Sequence, residues 1–132
     1  MTRLLFDTTL LIDAERDAAD LDSVIDDADD VAVAAITIAE LRVGALLADR
    51  RRMAARTAYV DDIVGAIPLL DYDLDVAEAH AALLVQVRTQ GRPRGAHDLI
   101  IAATAVAADR TVVTADRRAF LDLSGVQVRS YR

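Results

Sequence analysis

The 132-residue chain holds 22 Asp+Glu against 15 Lys+Arg, a formal net charge of −7 at pH 7, and is 54% hydrophobic but only 4% aromatic. That length suits one domain whose core is built from Leu, Ile, Val and Ala, and the acidic balance disfavours nonspecific binding to nucleic acid. Cysteine is absent and every basic residue is arginine, which excludes disulfides, thiolate metal sites and any mechanism that needs a catalytic lysine. No apolar run approaches the length of a bilayer, and the N-terminus lacks the charged-then-apolar pattern of a signal peptide, so the expectation is a cytoplasmic protein without a membrane partner.

Arg3-Leu4-Leu5-Phe6 reads as a buried strand that ends at Asp7. Residues 10 to 28 carry helical periodicity, with a break near Asp17 to Asp20, and Val31 to Ala34 is a second apolar strand. Thr37-Ile38-Ala39-Glu40 has the spacing of a capping box and predicts a helix through about Ala48. Arg50-Arg51-Arg52 opens another helix to about Val64, and residues 67 to 70 form a third strand. A long helix with Val76, Leu83, Leu84 and Val87 on one face stops at Gly91-Arg92-Pro93-Arg94-Gly95. The segment from Asp98 to Ala108 is almost wholly apolar and predicts a helix buried on several sides. Residues 111 to 114 are a fourth strand, 117 to 123 a short helix, and 126 to 129 a last strand. Strands alternating with helices predict an α/β protein, a three-layer α/β/α sandwich with a parallel sheet, in a single domain over residues 1 to 132.

Four acids fall where such a sheet binds ligands, outside the carboxyl ends of its strands. Asp7 follows the first strand, Glu40 lies in the first turn after the second, Asp116 lies just past the fourth, and Asp98 opens the buried helix. Carboxylates that converge raise one another's pKa, and a divalent cation removes the conflict. Oxygen ligands suit hard ions such as Mg²⁺ or Mn²⁺, and the chemistry they support on a phosphodiester is hydrolysis. Singly, each acid also reads as an ordinary turn, cap or helix-dipole residue.

Four segments carry a more specific signal: Phe6-Asp7-Thr8-Thr9-Leu10-Leu11-Ile12-Asp13, Ile38-Ala39-Glu40-Leu41-Arg42-Val43-Gly44, His97-Asp98-Leu99-Ile100-Ile101-Ala102-Ala103-Thr104 and Val113-Thr114-Ala115-Asp116-Arg117-Arg118-Ala119-Phe120. In this order and at this spacing they resemble the PIN-domain ribonucleases of the VapC toxin type over essentially the whole chain. The resemblance implies Mg²⁺- or Mn²⁺-dependent cleavage of RNA, often transfer RNA, silenced by a cognate VapB-type antitoxin. It implies Asp7 and Asp98 as principal metal ligands, Glu40 and Asp116 completing the acidic pocket, and Thr9 and Thr114 orienting a carboxylate or a water. Relatives commonly carry Asn where Asp116 stands and a further acid where Ala119 stands. An alternative is a PIN fold kept only to bind or regulate a partner.

Beside the pocket, Arg92 and Arg94 in the loop before Asp98, and Arg117 after Asp116, are candidate RNA contacts. Arg50 to Arg52 read as a solvated helix face or a partner surface, and His97 as shaping the start of its helix. Gly44, inside a helix, suggests the close approach of another backbone. Leu41, Leu46, Leu47, Met53, Tyr59 and Ile63 offer apolar surface for a homodimer and for an amphipathic antitoxin helix.

Overall fold

The first strand, β1 (Arg3–Phe6), sends Leu4 and Phe6 to one side of the sheet and Leu5 to the other, each at most 1% exposed. A strand buried on both faces is what a central parallel strand requires. In the computed structural model, which describes residues 1–132, β1 lies between β2 (Asp30–Ala34) and β4 (Thr111–Thr114). The edges are β3 (Leu69–Leu70) and β5 (Gln127–Ser130), giving the order β3-β2-β1-β4-β5 with every pairing parallel. From β1 the chain builds outward to β3 and then returns to the other side through β4. The carboxyl ends of β1 and β4 therefore flank the point where the winding reverses, which is where such sheets leave a crevice.

Helices cover both faces, as the α/β/α expectation requires. On the Phe6 side pack α1 (Thr8–Glu15), α3 (Ala35–Leu46) and α4 (Arg50–Ala66), burying Leu10, Leu11, Leu41, Val60 and Ile63. On the Leu5 side pack α5 (Leu74–Gln90) and α6 (Ala96–Ala108), the latter buried from Leu99 to Ala105 apart from half-buried Ile100. Short α2 (Leu21–Val24) follows the expected break, where Asp17 adopts φ 57. Asp7, Asp49 and Asp73 cap α1, α4 and α5, each accepting a backbone N–H three residues on. No helix is long and apolar enough to cross a membrane.

Several local expectations give way to tertiary structure. The third strand shrinks to two residues, because Pro68 has no N–H for the ladder, although its carbonyl still accepts from Val33 N at 3.0 Å. The helix expected over 117 to 123 is one 3-10 turn (Arg117–Ala119), after which Phe120 and Leu123 enter the core and Asp122 and Gly125 turn the chain at positive φ. The capping box is not formed. Helix α3 starts at Ala35 directly off β2, its N-cap is Ala34 without a side-chain bond, and Thr37 is fully buried inside it. Gly44 faces no backbone: a Cβ there would meet nothing within 4 Å, because the residue lines an open cleft between α1, α3 and α4. Leu41 and Ile63 are spent on the protein's own core and offer no partner surface, whereas Tyr59 is half-buried beside the open cleft with its hydroxyl on Leu11 O at 2.6 Å. Leu46 and Leu47, by contrast, are 70% and 82% exposed.

Candidate active site

Asp7 has two tasks at once. As N-cap of α1 its Oδ1 accepts from Leu10 N at 3.0 Å, and both its oxygens accept from Thr9 Oγ1, at 2.8 and 2.9 Å. From the end of β4, Thr114 Oγ1 makes a short hydrogen bond to Oδ2. Thr114 is itself fully buried and accepts from Asp116 N at 2.9 Å, so one hydroxyl fixes Asp7 and the backbone of Asp116 together. Burial, at 3% exposure, pushes the Asp7 carboxyl above its ordinary range, against the pull of the bonds from Thr114, Leu10 and Thr9, and the charge of Glu40 adds to the rise.

Asp98 stands in the first turn of α6. Its carboxyl is also raised, by burial first, and then by the negative charges of Glu40, Asp7 and Asp116, with His97 opposing. Asp98 thus lies within electrostatic reach of the other three sequence-predicted acids. The Asp98 carboxylate lies back over Gly95, where an added Cβ would stand only 2.9 Å from Oδ2. Gly95 leaves room for that carboxylate, whereas its backbone, at φ −59°, would admit a side chain.

Glu40 reaches the cluster from α3. Its Oε1 accepts from Thr8 Oγ1 at 2.7 Å, and its Oε2 lies 3.4 Å from His97 Nδ1. Thr37 Oγ1, one turn earlier on the same face, is 3.2 Å from Thr8 Oγ1. Sequence reasoning missed Thr8 altogether and read Thr37 as a cap. The usable signal was the i, i+3 spacing of Thr37 and Glu40, which places them on one helix face as readily as it forms a capping box. Asp116 is exposed at the rim. As the side chains stand, no three carboxylates or imidazoles are arranged to enclose an ion.

The basic candidates divide. Arg92 pairs with Asp122 at 3.1 Å, and Arg94 donates to Leu121 O at 2.6 Å, so both tie their loop to the turn after β4. Arg117 is exposed next to Asp116.

A parallel sheet with its acids at the switch point defines a class, and the sequence matches it: the chain belongs to the PIN-domain family, whose model aligns with residues 4–126. Within that family it is similar to a VapC ribonuclease of Sinorhizobium fredii, 38% identical over 92 residues that span 67% of this chain and 66% of that relative. It is also similar to the tRNA(fMet)-specific endonuclease VapC of Shigella flexneri, 29% identical over 75% of this chain and 74% of the relative. Among solved structures, a member of the VapBC family of toxin–antitoxin systems from Mycobacterium tuberculosis superposes with a TM-score of 0.81 at 29% identity, covering 98% of this chain and 99% of that one.

Proposed function

We propose that this protein is a divalent-metal-dependent endoribonuclease, the toxin of a toxin–antitoxin pair, acting as a single PIN domain. The observation that carries the reading is the grouping of Asp7, Asp98 and Glu40: burial first, and then the charge of Glu40, hold the Asp7 and Asp98 carboxyls above their ordinary range, and Asp7 adds to the rise at Asp98. Crowded oxygen donors without sulfur fit a hard cation, Mg²⁺ or Mn²⁺. Asp7 and Asp98 would hold it, with Glu40 and Asp116 completing the negative pocket. A bound cation of this kind supplies Lewis-acid stabilisation of charge on a phosphoryl oxygen and lowers the pKa of a water.

The chain's own residues do the positioning. Thr9 and Thr114 orient Asp7, and Thr114 holds the Asp116 backbone in register with it. Thr8, backed by Thr37, fixes one oxygen of Glu40 and leaves the other facing His97. Arg117, exposed beside Asp116, is placed to meet a substrate phosphate, whereas Arg92 and Arg94 hold the loop that carries Asp98. The similarity to a tRNA(fMet)-specific endonuclease favours structured RNA, transfer RNA in particular, as substrate. The likeness to a VapBC system favours a VapB-type antitoxin, and the exposed Val43 and Leu46 on α3, with Leu47 at its C-cap, are the apolar surface for it and for a homodimer.

The test is cleavage of RNA by the purified chain with Mg²⁺ or Mn²⁺ and with excess EDTA. Expected are metal-dependent products carrying 5′ phosphate and 3′ hydroxyl ends. Cleavage that persists in EDTA, or that yields cyclic phosphates, overturns the metal reading. A folded protein that binds its partner but cuts no RNA leaves a regulatory PIN domain instead.

A further inference from the structure

Where the end of α1 meets the first turns of α4, Arg16, Arg51, Arg52 and Arg56 line one shallow cleft together with Glu15. Arg16 and Arg56 also line the adjoining cleft that contains Glu40, so the basic strip runs continuously up to the acidic centre. This placement is unusual on two counts. The chain has 22 acids, yet its arginine–carboxylate pairs fall on Arg3, Arg42, Arg92, Arg110, Arg129 and Arg132, and none of the four strip arginines has such a partner. Arg51 and Arg52 moreover sit in the first turn of the 17-residue α4, a turn without an acid, although the positive end of the helix dipole disfavours cations there. Asp49, the nearest acid in the chain, has its carboxylate engaged on Arg52 N at 3.0 Å.

Unpaired cations crowded at the positive end of a helix repel one another until an anion arrives. The acidic centre poses the complementary problem: it repels the phosphodiester that it would cut, on a protein whose net charge is already −7. We infer that the Arg16–Arg51–Arg52–Arg56 strip is a phosphate track that carries the backbone of the RNA substrate past Glu40 into the acidic centre. The inference rests on the ribonuclease reading above and adds the path of the substrate. Guanidinium groups and the free N–H groups at the start of α4 both suit phosphate oxygens. The track contacts backbone rather than bases, so it supplies affinity without sequence preference.

The experiment compares R16Q/R51Q/R52Q with the parent, both in an Asp98→Asn background so that RNA stays intact. Arg56 is spared because it also donates to Gly44 O. Binding of a labelled single-stranded RNA is followed by fluorescence anisotropy across a salt series. Losing three phosphate contacts should flatten the slope of log K against log salt by about 2, and R51Q alone by about 0.7. R3Q, at the opposite end of β1, should leave it unchanged. In the Asp98 parent, the triple variant should raise KM for RNA about tenfold or more, leaving kcat and the cleavage of a dinucleotide unchanged. A slope that the folded triple variant shares with its parent overturns the track, and does so equally if that variant instead loses an acidic protein partner. A parent that binds and cuts no RNA overturns the ribonuclease reading itself, a distinguishable result.

Discussion

Thr8 Oγ1 donates to Glu40 Oε1 at 2.7 Å, tying the first turn of α1 to α3 across the pocket, with Thr37 Oγ1 3.2 Å behind it. Because Thr37 is fully buried, its hydroxyl has no water to turn to if Thr8 is removed. Thr8→Val should therefore destabilise by about 1–3 kcal/mol and release Glu40 from its fixed position. Thr8→Ser should restore most of both. Urea denaturation and metal-dependent RNA cleavage read the two effects, and wild-type values of both for Thr8→Val would remove Thr8 from the site.

Gly95 and Asp98 make a second test of positioning. Alanine suits the backbone at φ −59°, but its Cβ would stand 2.9 Å from Asp98 Oδ2 and push the carboxylate aside. Stability should change by less than about 1 kcal/mol, whereas the Mg²⁺ or Mn²⁺ concentration needed for half-maximal cleavage should rise several-fold. An unchanged metal requirement would mean that Asp98 relaxes at no cost.

The raised carboxyls of Asp7 and Asp98 make metal-free stability depend on pH in an uncommon direction. Their ordinary value is 3.8, and burial, followed for Asp98 by the charges of Glu40, Asp7 and Asp116, lifts them in the folded state. A carboxyl held higher in the fold binds its proton more tightly there, so its contribution to stability is complete below the ordinary value and is lost as pH rises through the raised one. In EDTA, the melting temperature should therefore be higher just above the ordinary carboxylate range than at neutral pH. Asp98→Asn should raise the neutral-pH value by a few degrees, weaken the pH dependence and abolish cleavage. Thermal scans with and without Mg²⁺ decide it: an Asp98→Asn protein that melts below the metal-free parent contradicts the repulsion argument.

At the end of α3, Leu46 and the C-cap Leu47 are 70% and 82% exposed, so Leu46→Glu with Leu47→Glu removes little from the core. Chain stability should stay within about 0.5 kcal/mol per substitution. Co-purification with the antitoxin, or dimerisation on a sizing column, should fall sharply. Retention of both assemblies would place the partner surface elsewhere.

Much of this protein was determined by its sequence alone. The β1-to-β5 alternation with helices, the breaks at Asp17 and at Gly91 to Gly95, and the positions of Asp7, Asp98 and Asp116 follow from hydrophobic periodicity and from polar residues standing at the ends of apolar runs, while Glu40 is singled out by the resemblance of the four ordered segments. Those signals are local, and a strand end in a parallel sheet has only one edge at which to place its acid. The tertiary structure decided what local spacing leaves ambiguous. Thr37 and Glu40 fit a capping box in the chain, yet with β2 running straight into α3 they face Thr8 instead. Gly44 lacks the backbone neighbour its helical position suggests, and Leu41 is buried where Leu46, five residues on, is not. The grouping of Arg16 with Arg51, Arg52 and Arg56 joins two helices separated in sequence. Which residues of two faces meet depends on how the helices pack on the sheet, and that is settled by the whole core rather than by any one segment.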